Sequence, residues 1–390
     1  MPAIPVLRSA LVAAAEDQLI LDLGGIEARY DTLIRELPGV SVRFAMKACP
    51  VDEVLQVLAD SGAGFDAASP NEIAQAIRTG VPAGRIHYGN TVKSDRDIAT
   101  AYRLGIRDFA TDSLPDVGAI AAHAPGSRVF CRLATTGAGA LWGLSNKCGC
   151  SPGEAVAVLE AARAQGLTPA GLSLHVGSQQ MTVEAWRNAF TDLARVFARL
   201  GRVGIFLDHV NLGGGLPALG YLDRRGTPLI PRMDLILAVI RDGMRRLRQI
   251  SRTPLDFILE PGRHLVADHG AIRAHVVRLT ARGQQGHWLY LSCGKFNGLY
   301  EMDQLQYRLE FPTHPAGPYV PAVIAGPTCD SDDAFGTSHP VLVPEGLRSG
   351  DPVWIHSTGA YSVSYTTVGF NGFDPLPYQT VRGELLAETR

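Results

Sequence analysis

Lys47 closes the β-favouring run "VRFAMKACP", in which Val42, Phe44 and Met46 alternate with Arg43 and Ala45 and a proline follows. An amine held there points beyond the end of a strand. His175 and Ser178 occur in "HVGSQ", Gly213, Gly214 and Gly215 in "NLGGGLP", and Glu260, Gly262 and Arg263 in "LEPGRH". Taken singly, each has a plainer reading. A lysine snorkels to water, a triple glycine makes a turn, and a strand-end histidine is a satisfied polar core residue. Taken together they supply an amine, a flat ring, a cradle of backbone N–H groups with an arginine fork for an anion, and a carboxylate. Pyridoxal phosphate needs those parts. A lysine bonds it as a Schiff base, an anion site holds its phosphate, and an acid keeps the pyridine nitrogen protonated so that the ring accepts electrons.

The elements that must bring these residues together alternate from about residue 41. The strands are "VRFAMKA", "GFDAAS", "RIHYGN", "RDFATD", "RVFCRLAT", "LSLHVGS", "HVNLGGG" and "DFILEPGR", separated by helical patterns. Ser69-Pro70-Asn71-Glu72 predicts a capping box with proline at the first helical position. Ser94 and Ser151 sit at similar starts. "VEAWRNAFTDLARVFARLG" predicts an amphipathic helix closed by Gly201. Eight strands, each but the last followed by a helix, predict an α/β fold built on a (β/α)8 TIM-type barrel. An open dinucleotide-binding sheet would want a GxGxxG turn after its first strand, and there is none. In such a barrel the chemistry sits at the C-terminal ends of the strands, where Lys47, His175, the glycines and Glu260 are expected. After about residue 268 strand-like runs between Gly/Pro turns take over, which predicts a C-terminal β-sandwich or small β-barrel domain. The run "QLILDLGGI" near residue 18 is also strand-like. The expected division is a barrel over 24–268 and a β domain from 1–23 and 269–390.

The 390-residue chain is 46% hydrophobic and 19% charged, with a formal net charge of −2. No basic stripe predicts nucleic acid or an anionic membrane as a partner. No apolar run approaches the ~18–20 residues that span a bilayer. Glu16 and Asp17 interrupt the apolar N-terminal stretch, so no signal segment is expected. The cysteines at 49, 131, 148, 150, 293 and 329 match neither zinc nor thioredoxin spacing. They are expected to be free thiols in a cytoplasmic protein, and no metal is expected.

The chain resembles the fold-type III, alanine-racemase-like pyridoxal-phosphate decarboxylases, and within them bacterial ornithine decarboxylases. The resemblance runs from "LDLGGIEARY" through "FAMKACP", "GFDAASPNEI", "HYGNTVKS", "HVGSQ", "GGGLP" and "EPGR" to "GKFNGLYE", "GPTCDSDD" and "GAYSVSYTTVGFNGF". It implies that Lys47 carries the cofactor and that His175 stacks on its ring. Asp66, Ser178, Gly213, Gly214, Gly215, Gly262, Arg263 and Tyr361 are implied to complete the cofactor site. Glu260 is implied at the pyridine nitrogen, where alanine racemases place an arginine. Cys329 is implied to come from the second subunit of a homodimer with shared active sites and to protonate the α-carbon after CO2 leaves. The acids around it, Asp330, Asp332 and Asp333, are expected to be exposed. Asp330 and Glu301 are implied to read the substrate's distal ammonium, with Tyr300 and Phe370 beside them. "CDS" rather than "CES" argues against diaminopimelate, whose distal carboxylate two acids would repel. The implied activity is decarboxylation of a basic L-amino acid, ornithine to putrescine in polyamine biosynthesis. Lysine, arginine, a D-amino acid or a natural-product precursor are the alternatives, and a catalytically dead regulatory homologue is another. Intact Lys47, Glu260 and Cys329 argue against the last. "FAMKACP" and "HYGNTVKS" depart from the commoner asparagine-containing forms.

Overall fold

The computed structural model describes residues 5–143, 147–283 and 286–383. Helix α1 (Pro5–Ala13) precedes β1 (Gln18–Asp22) and α2 (Leu23–Glu36). Then follow β2 (Val40–Ala45), α3 (Asp52–Asp60), β3 (Gly64–Ala67), α4 (Pro70–Arg78), β4 (Ile86–Tyr88), α5 (Asp95–Arg103), β5 (Asp108–Thr111), α6 (Leu114–His123) and β6 (Arg128–Arg132). The chain continues through β7 (Ala140–Trp142), α7 (Pro152–Ala164), β8 (Thr168–Ser173), β9 (Ser178–Gln180), α8 (Val183–Arg202), β10 (His209–Asn211), α9 (Met233–Ile250), β11 (Asp256–Leu259) and the short α10 (Arg263–Val266).

Strands β2, β3, β4, β5, β6, β8, β10 and β11 pair in parallel around a closed barrel, with β11 returning to β2. A parallel strand covered by helices is buried on both faces, so it must be apolar almost throughout. Phe44, Phe65, Phe109, Phe130 and Phe257 are accordingly fully buried, one on each of five strands. At the N-terminal end of the barrel Arg128 ties β5 to β10, with Nε 2.7 Å from Asp108 and a two-pronged contact of 2.9 Å to Asp208. That end carries structural ion pairs and leaves the other end to the chemistry.

The second unit is a curled nine-stranded sheet. It is made by β12 (Gly270–Ala281), β13 (His287–Leu291), β14 (Leu309–Glu310), β15 (Tyr319–Ala325), β16 (Ala334–Phe335), β17 (Val341–Pro344), β18 (Pro352–His356) and β19 (Tyr378–Val381), joined by β1. Strand β1 runs antiparallel to β12 and parallel to β19. Of "QLILDLGGI" only residues 18–22 are strand. Asp22 accepts a hydrogen bond from Gly25 N–H at 3.1 Å and so starts α2. Among the described residues, no helix is long and apolar enough to cross a membrane.

Three local expectations are corrected. The sixth barrel strand is Thr168–Ser173, not "LSLHVGS", because Gly177 and Gln179, at positive φ, turn the chain away into the β7–β9 ribbon. Gly201 does not close α8. The helix runs to Arg202, and Gly204, at φ +69°, takes the left-handed turn that ends it. At Ser69 only half of the capping box forms. Ser69 accepts from Glu72 N–H, whereas the Glu72 carboxylate accepts from Ala68 N–H one residue earlier. Ser151 and Glu154 make the full box.

Candidate active site

Asp66 lies on β3 itself, but the other barrel strands stop before Lys47, His175, the glycines and Glu260, so these lie in the turns just beyond. Lys47 sits in a single 3₁₀ turn after β2. His175 follows β8, the glycines follow β10, and Glu260 follows β11. The turns converge on one cleft lined by Lys47, Asp66, His175, Ser178, Gly214, Gly215, Glu260, Gly262, Arg263 and Tyr361, with Ala45 and Leu216. Gly213 stands just behind this lining. A Cβ on it would fall 2.0 Å from the Leu174 carbonyl oxygen, and its φ of +65° disfavours any side chain. Among the described residues, Tyr300, Glu301, Cys329, Asp330 and Phe370 are not part of the lining.

Lys47 reaches water through the mouth of the cleft but is otherwise surrounded by protein. Burial opposes its charge, yet Tyr361, Asp66 and Glu260 outweigh burial and hold its pKa above the usual lysine value. Behind it His87 Nε2 lies 2.7 Å from Glu260 Oε1 and 3.1 Å from Asp66 Oδ1. Burial works against the imidazolium. The two carboxylates prevail, so its pKa rises while that of Asp66 falls. Asn211 donates to the same Glu260 oxygen. These three titratable groups lie close enough to grip a cation, and the two carboxylates favour the charged form of His87 between them. Glu260 is thereby fixed from behind.

His175 is the opposite case. Burial, with the Lys47 and Arg132 cations nearby, pushes its pKa down to about 3. Its Nδ1 accepts from Gly177 N–H at 3.0 Å, so the neutral ring carries its proton on Nε2. A neutral imidazole at the cleft wall offers a flat face without adding charge. Arg263 is buried, with its guanidinium 4.1 Å from the Trp142 ring centre and 4.7 Å from that of Tyr361. It forms a two-pronged pair with Glu301 and donates to Ser178 Oγ at 3.2 and 3.3 Å. Glu301 is therefore buried against Arg263 rather than aimed into the open cleft. Cys329 and Asp330 are exposed, and Cys329 Sγ is 3.3 Å from Asn371 Oδ1. Asp333, expected to be exposed, is buried. It accepts from Lys295 N–H at 2.7 Å and from the Thr328 hydroxyl at 2.6 Å, pinning two turns together.

Among the described residues, four non-glycine residues adopt left-handed backbone, Gln179, Ser357, Tyr361 and Asn371. Tyr361 is held in that state by its N–H, which donates to the Ala48 carbonyl at 2.7 Å, one residue from Lys47.

His87, Asn211, Arg132 and Trp142 were not singled out from the sequence. His87 and Asn211 had a signal, a polar side chain within a strand that must be buried on both faces. Trp142 had none, since it reaches Arg263 from the separate β7–β9 ribbon.

The residues present fit pyridoxal phosphate. Among the described residues, no protein acceptor engages the N–H groups of Gly214, Gly215 or Gly262, and these flank Arg263 and Ser178. Donors left over beside a buried cation suit a phosphate. The amine of Lys47 and the carboxylate of Glu260 share the same cleft.

Residues 23–267 match the family model described as pyridoxal-dependent decarboxylase, pyridoxal binding domain. The lysine/ornithine decarboxylase of Selenomonas ruminantium is 31% identical over 360 residues, covering 91% of this chain and 87% of that protein. The structure of SrLDC in complex with PLP and cadaverine superposes with a TM-score of 0.85 at 27% identity, covering 97% of this chain and 95% of that one. The Vibrio vulnificus lysine/ornithine decarboxylase complexed with putrescine gives a TM-score of 0.83 at 28% identity, covering 96% and 97%. With its cleft fitted to that cofactor and its barrel matched along nearly its whole length, the chain belongs to the pyridoxal-dependent decarboxylases, carboxy-lyases that use pyridoxal phosphate.

Proposed function

We propose that the protein decarboxylates a basic L-amino acid, ornithine to putrescine, as a homodimer with shared active sites. The observation that carries this reading is the meeting of Lys47 and Glu260 in one cleft with Arg263 and, among the described residues, the unengaged N–H groups of Gly214, Gly215 and Gly262. When bound, pyridoxal phosphate supplies the electron sink for loss of CO2. Lys47 holds the cofactor covalently and His175 supports its ring. Gly214, Gly215, Gly262, Ser178, Arg263 and Tyr361 hold the phosphate, with Gly213 shaping the turn. Glu260 keeps a proton at the pyridine nitrogen, and His87 with Asp66 keeps Glu260 in place. Cys329 delivers a proton to the substrate's α-carbon. Its exposure, outside the cleft of its own chain, suits delivery from a second subunit. Asp330 favours a cationic distal group, with Tyr300 and Phe370 beside it, whereas the Glu301 carboxylate is engaged by Arg263 and is not free to read that group.

Borohydride reduction of the cofactor-loaded protein followed by peptide mapping should put the adduct on the peptide containing Lys47. An adduct on Lys93, Lys147 or Lys295 would overturn the assignment. Lys93 is a poor candidate on physical grounds, since its buried ammonium is 2.9 Å from Asp116 and 2.7 Å from the Ala110 carbonyl. A substrate panel followed by CO2 release tests the activity itself.

For the distal amine, Asp330→Ala should cost roughly 2–4 kcal/mol in kcat/KM for ornithine, because a charged partner of a desolvated ammonium is lost. Unchanged discrimination between ornithine and norvaline would remove Asp330 from this role.

A further inference from the structure

The side chain of an exposed cysteine turns among staggered wells unless a neighbour holds it. Cys329 is exposed, yet it is held. The side-chain oxygen of Asn371 accepts the Cys329 backbone N–H at 3.0 Å and the thiol S–H at 3.3 Å. A backbone N–H only donates, so the Asn371 atom facing it is the amide oxygen and not the nitrogen. One acceptor therefore grips Cys329 at two points, its main chain and its sulfur. Rotation about the Cβ–Sγ bond moves the proton without moving the sulfur, so the contact fixes where the proton starts and leaves it free to be handed on.

Both turns that meet here are built firmly. Asn371 lies in the short 3₁₀ turn Phe370–Gly372 at φ +50° and ψ +20°. The Gly372 N–H donates to the Gly369 carbonyl at 2.9 Å, and the Phe373 N–H to that of Phe370 at 3.1 Å. The Phe370 ring anchors the turn on Phe296, with centres 4.6 Å apart. On the other side, the buried Asp333 carboxylate accepts from the Thr328 hydroxyl, next to Cys329, and Asp330 accepts from the Asp332 N–H at 2.8 Å. The left-handed backbone of Asn371 is one that glycine adopts without strain. The position nevertheless carries a side chain, and the oxygen of that side chain serves Cys329.

We propose that Asn371 is a positioning residue that aims the Cys329 sulfur for proton delivery to the substrate's α-carbon. This rests on the reading of Cys329 as the proton donor. Asn371 acts through Cys329 and makes or breaks no bond itself. Without it the sulfur spreads over several wells, and a proton transfer that needs hydrogen-bond reach slows. Binding of the substrate does not use the contact, so the effect falls on kcat and spares KM.

The test compares Asn371→Gly, which removes the oxygen while relaxing the backbone, with Asn371→Asp, which keeps an acceptor oxygen at the same reach. In cofactor-loaded enzyme, kcat and KM are measured for the basic amino acid that wild type prefers. The solvent deuterium isotope effect on kcat and the melting temperature are measured alongside, with Cys329→Ala as a control. The glycine variant should melt at or above wild type and lose roughly 10-fold in kcat with KM within about twofold. Its solvent isotope effect should exceed that of wild type, because proton delivery has become slower. The aspartate variant should recover most of the lost kcat. Wild-type kcat in the glycine variant, a loss with an unchanged isotope effect, or an aspartate variant equally impaired would overturn the proposal. So would a glycine variant that melts well below wild type or does not fold, since the contact would then only brace the turns. Near-wild-type kcat in Cys329→Ala would instead overturn the reading of Cys329 as proton donor, and that control is read first.

Discussion

Glu260→Ala should still bind pyridoxal phosphate, with its visible absorbance retained, and should lose at least roughly 10²–10³-fold in kcat, the scale on which preorganised electrostatic partners act. Lys47 and the phosphate cradle are untouched by the change, so loading should survive. What disappears is the carboxylate that keeps the proton at the pyridine nitrogen, and with it most of the ring's capacity to take electrons. The surroundings make this residue hard to replace from within. His87, 2.7 Å away, lies between two carboxylates that raise its pKa. With Glu260 gone it keeps only Asp66 as an acidic partner, and it brings no carboxylate to the pyridine nitrogen in place of the one lost. Glu260→Gln should restore the hydrogen bond from Asn211 without restoring the rate. A Glu260→Ala enzyme with near-wild-type kcat would show that the carboxylate only shapes the cleft.

Mixing Lys47→Ala protein with Cys329→Ala protein, each inactive alone, should restore about a quarter of wild-type activity after subunit exchange. Lys47 belongs to the cleft of its own chain, whereas Cys329 and Asp330 are exposed away from it. If a two-fold dimer places Cys329 in the partner's cleft, a mixed dimer contains one intact site and one with both defects. Random mixing makes about half of the dimers mixed, each with one working site of two. Exchange can be verified independently with differently tagged chains. Exchange without recovery would mean that each site is built from a single chain.

The barrel was legible because its requirements are strict. A strand buried on both faces must be apolar, a helix on its outside must be amphipathic, and serine at a helix start is chemically marked. Each of the eight expected strands overlaps an observed one, and Ser69, Ser94 and Ser151 all begin helices. Strand ends were less legible, since β propensity does not mark where pairing stops. "LSLHVGS" looks like strand throughout, and pairing ends at Ser173 because the following turns at positive φ are set by contacts with the ribbon. Within the cleft, lysine, glycines and acid carried recognisable chemistry. His87 and Asn211 escaped notice because their meaning lies in facing Glu260 across the barrel, which spacing along the chain does not encode. Asp333 was misjudged for a similar reason. A run of acids suggests a solvated loop, but two glycines, Gly294 and Gly326, open the space that its buried carboxylate occupies.

The left-handed backbone at Gln179, Tyr361 and Asn371 surrounds the working parts of the molecule, beside Ser178, in the cleft wall and against Cys329. Each such residue costs on the order of 1 kcal/mol relative to a relaxed conformation. A scaffold under selection for stability alone would place glycine at these positions. At Tyr361 that relief would remove the ring on which both Arg263 and Tyr365 rest. The protein is therefore poised on a trade between robustness and reactivity. Substitutions that raise its melting temperature at Tyr361 are expected to be the ones that disarm it, and a heat-tolerant version for use outside the cell should be sought in the helices around the barrel.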